Sequence, residues 1–320
     1  MAYWKRIPIG VRFALCVLLL TAVLLPFRTP SLSQGYSQTY YQRQGDNAAI
    51  VANTPPNVKT TLEYNGHALN IDAVVHGPDS DTIGIYLGTP HIPDIEQVQA
   101  CLFPDDAEFD VFVSRRSAFP LFYDVAITNY SSDYGSMICM DDGYVTISCY
   151  EPTIEIASAE DARQVLLQLG YPAENAQIAI NPEGGYTVTS TMQGIAVSRF
   201  VAYDAFTGLG SDGIELVVKV QDGRFAGLRG SFWYPVETLW KNTQILSVTD
   251  AIDHLHEEIF LDGAYTDIDF RYHGRLVYGN PAQQLFYPVW EFTNRENPAE
   301  FTLSNAITGA CEAMFLSDTP

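Results

Sequence analysis

The apolar positions of this chain change character twice. Before Thr29 they form one block, Phe13 to Phe27, preceded by Lys5, Arg6 and Arg12. From Thr29 to Pro56 no period survives, and Gln, Ser, Tyr and Pro dominate, as in a flexible linker. From Asn57 onward, short alternating runs separated by turn residues predict strands, with a few stretches at helical spacing between them.

"VKTTLEYNGHALNIDAVV" predicts a hairpin around Asn65-Gly66, and "DTIGIYLG" a further strand. "IPDIEQVQACLF" opens with Pro93 and Asp94 and spaces Ile95, Val98 and Leu102 as a helix does. Aromatic strands and a hairpin near Gly143 complete a first module. A second begins at "SAEDARQVLLQLG", where Ser158 is the N-cap and Ala159, Ala162, Val165, Leu166 and Leu169 form an apolar stripe. Gly170 ends that helix and Pro172 prevents its return. Strands follow, including a hairpin around Asp222-Gly223. The pattern then restarts at Ser247, with Val248, Ala251, Ile252, Leu255 and Ile259 repeating the stripe before more strands.

Both later modules open Ser-x-[Glu/Thr]-Asp-Ala and close [Asp/Asn]-Ala-x-Thr-Gly, at Asp204–Gly208 and Asn305–Gly309. This is a divergent duplication. The closing pentapeptide reads as a strand-end turn. Asp or Asn bonds its own nearby backbone, Thr does the same more weakly, and Gly takes a positive φ. The expected modules are therefore 57–150, 151–246 and 247–320, after a membrane-directed segment (1–28) and the linker (29–56).

"VAYDAFTG" and "LSNAITG", each closing a helix-then-strands unit, resemble PepSY-type domains. The C-terminal unit, with "LSVTDAI", "YPVWEF" and "NAITG", is also similar to YycI/YycH-type regulatory proteins, single-pass envelope proteins of Gram-positive bacteria that modulate a sensor kinase. The order "LNIDAVVHGP", "LRGSFWYPVE", "LSVTDAI" resembles an uncharacterised family of exported clostridial-type lipoproteins, although no lipobox is present. The resemblance implies an α+β fold: tandem units of one helix packed on an antiparallel sheet, after an N-terminal membrane segment. It supplies no catalytic residues.

Composition narrows the partners. The net charge is −21, and the four basic residues before Thr29 leave the remainder more acidic still. Such a surface repels phosphate backbones, which argues against nucleic acid as a partner. The basic residues ahead of the Phe13–Phe27 block are the pattern of a signal anchor or a cleaved secretory signal, and both stay open. The expected location is the cell membrane, single-pass with an extracytoplasmic C-terminal domain, or outside the cell after cleavage. Cys101, Cys139, Cys149 and Cys311 allow disulfides in that setting. A two-residue Asp142-Gly143 turn, however, sets Cys139 opposite Thr146 and away from Cys149.

Candidate chemistry is sparse. "GLGSDG" (Gly208–Gly213) matches G-x-G-x-x-G but precedes a strand, where a dinucleotide site needs a helix. In "DHLHEE", His254 and Glu258 are one helical turn apart, a metal-ligand spacing that is also that of a solvated helix face. The pairs Asp105/Asp106 and Asp141/Asp142 fall in expected turns. No catalytic residue, metal ligand or cofactor site is assigned. Tyr-Pro-Val occurs twice, at Tyr234–Val236 and Tyr287–Val289. Its prolines suggest edge strands or strand starts. Trp233, Tyr234, Tyr287 and Trp290 are accordingly the candidate contact residues for a protein or peptide partner. The expected function is that of a non-enzymatic envelope protein that binds or regulates another one, a sensor kinase or a peptidase. The alternatives are a secreted hydrolase of peptides or wall glycans and a passive ligand or glycan binder.

Overall fold

A computed structural model describes residues 45–118, 123–182, 184–198, 215–255, 262–277, 280–297 and 300–315, all within one compact unit, Gln44–Pro320. The apolar Phe13–Phe27 block and the expected membrane segment lie outside the described residues, as do "GLGSDG" and the first copy of the closing pentapeptide. Among the described residues no helix is long and apolar enough to cross a membrane.

The local signals fold as their chemistry dictates. Strands β1 (Asn57–Tyr64) and β2 (His67–His76) form the hairpin, with Asn65 and Gly66 at φ +52° and +87°. Strand β3 is Ile85–Pro90. Helix α2 (Ile95–Leu102) is capped by Asp94, whose carboxylate accepts from Glu96 N. Helix α3 (Ala159–Gln168) and helix α4 (Val248–Leu255) follow Ser158 and Ser247, whose hydroxyls accept from Asp161 N and Asp250 N at 3.2 and 3.1 Å. Of their apolar stripes, Ala162, Val165 and Leu166 and then Val248, Ala251, Ile252 and Leu255 are buried, and Ile259 lies outside the described residues. Helix α1 (Ala48–Asn53) lies where linker was expected. It is pinned by buried Asn47, which donates to Thr243 O at 2.7 Å and accepts from Ile245 N at 3.2 Å.

The assembly departs from the expected architecture. Strands take 52% of the structure and helices 14%, so the fold is mostly β and not a tandem of helix-on-sheet units. Two eight-stranded sheets dominate. One contains β4 (Asp110–Ala118), β5 (Tyr123–Ser132), β6 (Gly135–Met140), β7 (Val145–Cys149), β8 (Gln177–Ile180), β9 (Tyr186–Thr189), β12 (Glu215–Gln221) and β13 (Arg224–Gly230), in the order β4-β5-β6-β7-β13-β12-β9-β8. The other runs β1-β2-β15-β16-β17-β18, where β15 is Gly263–Val277, β16 Asn280–Thr293, β17 Phe301–Asn305 and β18 Cys311–Phe315. On it β3 pairs with β16, and β14 (Trp233–Trp240) pairs with β3. A small ribbon, β10 (Thr191–Met192) with β11 (Ile195–Ala196), stands apart.

The predicted 57–150 module thus gives β1–β3 to one sheet and β4–β7 to the other. The physical reason is burial: the few strands after each helix cannot cover an apolar face alone, and strands from elsewhere complete each sheet. The parallel pairing of β2 with β15 joins residues nearly two hundred positions apart (Leu69 opposite Gly263). Two cores result. Helix α4 covers one, with Phe270, Trp290 and Phe292. Helices α2 and α3 cover the other, with Ile147, Val188 and Leu228.

Candidate functional site

The aromatic candidates separate on inspection. Trp233, Tyr287 and Trp290 are buried, and Tyr234 is half-buried. Trp290 stacks edge-on against Phe270 at 5.0 Å, and its Nε1 donates to Leu246 O at 3.1 Å. Phe286, Trp290 and Phe292 share the core under α4, while Tyr287 and Val289, which alternation sends to the other face, do not belong to it. Both faces of β16 are nonetheless buried. Pro235 lies, as expected, on an edge: β14 pairs only with β3 among the described residues, and its register shifts beside the proline. Pro288 does not. Strand β16 is central, and Pro288 falls where its neighbour changes from β3 (last partner Phe286) to β17 (first partner Val289). The residue that cannot donate lies in the gap between these two pairings, and its carbonyl accepts from Ala306 N at 3.0 Å.

Tyr234 belongs to a crossing between the sheets. The chain leaves the sheet of β3 through His91 and returns to it between Gly230 and Trp233. His91 N donates to Phe232 O at 2.7 Å, and its ring lies 4.7 Å from that of Tyr171 and 6.2 Å from that of Tyr234. Burial holds the imidazole below its ordinary pKa, so it is neutral at pH 7. Asp142, in the β6–β7 turn, has its carboxyl raised by burial, opposed by a hydrogen bond from Tyr144 N and reinforced by Asp141. The next residue, Gly143, is so close to Pro90 that a Cβ there would sit 1.9 Å from the proline's own. Sequence spacing gave no hint that His91, Asp142 and Tyr234 approach one crossing.

The second face of β15 and β16 carries an ionisable row. Asp269, Arg271 and His273 alternate on β15, opposite Glu291, Val289 and Tyr287. His273, Tyr287 and Glu291 are buried, and Arg271 pairs with Asp269 at 3.4 Å. Alternation in "DIDFRYH" marks a strand and does not show that its charged face is covered.

The remaining candidates have structural tasks. His254 Nδ1 lies 2.8 Å from Asp250 O, and Glu258 and His256 lie outside the described residues. Among the described residues no His, Cys, Asp and Glu side chains group as a metal site. Cys139 stands opposite Val145 and Cys149 opposite Gly135, one position off the expected register and still far from bridging. Asn305 behaves as its motif predicts: its Oδ1 accepts from Ile307 N and Thr308 N, Thr308 Oγ1 accepts from Ala310 N, and Gly309 has φ +79°.

Strand β4 is the exposed apolar feature. It pairs with β5, forms one edge of its sheet among the described residues, and has Val111, Phe112 and Val113 58%, 66% and 60% exposed. Alternation puts the two valines on one face and the phenylalanine on the other. The signal was present as an apolar triplet between Asp110 and Arg115, but such a run reads equally well as a buried strand.

No protein-family model and no curated protein matches the chain. Among solved structures, an uncharacterised protein from Eubacterium rectale is similar at 16% identity, with a TM-score of 0.52 over 80% of this chain and 93% of that one. That likeness concerns the fold.

Proposed function

We propose that this chain is a non-enzymatic extracytoplasmic protein that binds another polypeptide of the cell envelope by strand addition at β4. The exposed Val111-Phe112-Val113 run on an open sheet edge carries this reading. An incoming strand takes up the outward N–H and C=O groups of β4 and covers apolar side chains on both faces. Each such side chain contributes up to roughly 1.5 kcal/mol, enough together to offset part of the cost of association. The basic residues ahead of the Phe13–Phe27 block supply the export half of the reading. The resemblance to YycI/YycH-type proteins supports a regulatory role. A photo-crosslinking residue at position 112, introduced in cells, should yield a protein adduct, whereas one at half-buried Tyr234 should not; if position 112 gives no adduct, the reading fails.

A further inference from the structure

The described edge strands are not equivalent. Strand β14 carries Pro235 and two register shifts. Strand β8 is four residues long, and β18 is five with a register shift beside it. Strand β1 carries Lys59 and Glu63, with Lys59 paired to Asp72. Each of these edges has a device that discourages a further strand. Strand β4 differs: its charges, Asp110, Arg115 and Arg116, leave an uninterrupted apolar triplet between them, and it is nine residues long, contains no proline, and pairs with β5 without a shift from Asp110 to Ala118.

Its charges run in one direction. Exposed Glu108 and Asp110 precede the apolar triplet, exposed Arg115 follows it, and Arg116 is the next residue of the strand. An antiparallel strand of the same sequence presents the opposite order. With Val113 on the two-fold axis, Asp110 stands opposite position 116 of the second copy, and the same pairing recurs at the other end. Residues that face each other across such an axis lie on the same side of the sheet, so the valines of both copies meet on one face and the phenylalanines on the other. In a chain of net charge −21, two adjacent arginines after a triplet that acids precede give this edge a charge pattern complementary to its own in antiparallel order.

Resting on the strand-addition reading, we propose that the occupant of β4 is a second copy of this chain, giving an isologous dimer in which the two eight-stranded sheets join edge to edge. The experiment is sedimentation velocity on the full chain in mild detergent. Wild type should sediment as a dimer, and Phe112→Lys as a monomer with unchanged far-UV circular dichroism. Asp110→Arg should weaken the dimer roughly tenfold, and Asp110→Arg with Arg116→Asp should restore it. A Val113→Cys variant should crosslink to itself on mild oxidation, while Ile180→Cys, 81% exposed on the far edge, should not. A monomeric wild type, or a dimer indifferent to Phe112→Lys, overturns the proposal. If the wild type is monomeric but position 112 crosslinks to a different protein, self-pairing is wrong and strand addition stands. If it is monomeric and position 112 crosslinks to nothing, both fall.

Discussion

Phe232 and Trp233 are consecutive in the chain and buried in different cores. Alternation along an extended backbone sends neighbouring side chains to opposite sides, and here the two sides belong to different sheets. This dipeptide rivets the molecule where the chain crosses from β13 to β14. Truncating either ring to Ala should cost about 3–5 kcal/mol, as for large buried aromatics. The damage should be local: in hydrogen exchange, Phe232→Ala should first loosen β12 and β13, and Trp233→Ala should first loosen β3 and β16. Uniform loosening in both variants would mean that the two cores open as one.

The crossing also makes stability depend on pH. His91 titrates below its unfolded value of 6.5, so the folded state binds fewer protons than the unfolded state does. The associated stability is complete above about 6.5 and is lost as pH falls through that value toward the lowered one. Thermal melts between pH 8 and pH 5 should show the wild type losing more than His91→Gln does. Parallel curves would assign the acid sensitivity to other groups.

The local chemistry of this fold was legible and its assembly was not. Ser158, Ser247, Asn65-Gly66 and Asp222-Gly223 each act through bonds or φ values within a few residues, so a single window of sequence determines them. The pairing of β2 with β15 and the gap in the ladder at Pro288 depend on which distant strand arrives alongside. No periodicity encodes that. The same limit hid the candidate surface: Val111, Phe112 and Val113 have the composition of a core strand, and only the position of β4 at the end of a sheet exposes them.

Two of the thiols are protected. Burial pushes the Cys139 and Cys149 thiols up to about 11, with Cys101 nearby adding to the effect at Cys149. Very little thiolate exists at pH 8, and the thiolate is the reactive species. Alkylation of the native protein followed by peptide mass spectrometry should leave both unmodified, and modification should appear in denaturant. Rapid native labelling of Cys139 would show that β6 and β7 separate readily.

The Asn-Ala-x-Thr-Gly turn closes directly onto helix α4. A Cβ at Gly309 would lie 2.4 Å from His254 Cγ, at a backbone φ of +79°. Two separate penalties therefore meet in Gly309→Ala: about 1 kcal/mol for a side chain in the left-handed region, and a further 1–2 kcal/mol for displacing the imidazole. His254→Ala alone should cost little, because that side chain is exposed. In the double variant the steric part should disappear and the backbone part should persist, giving a coupling of about 1–2 kcal/mol in a double-mutant cycle. Strict additivity would mean that the imidazole does not rest on the turn. Coupling of the expected size would establish that the pentapeptide serves to hold the end of β17 against the helix.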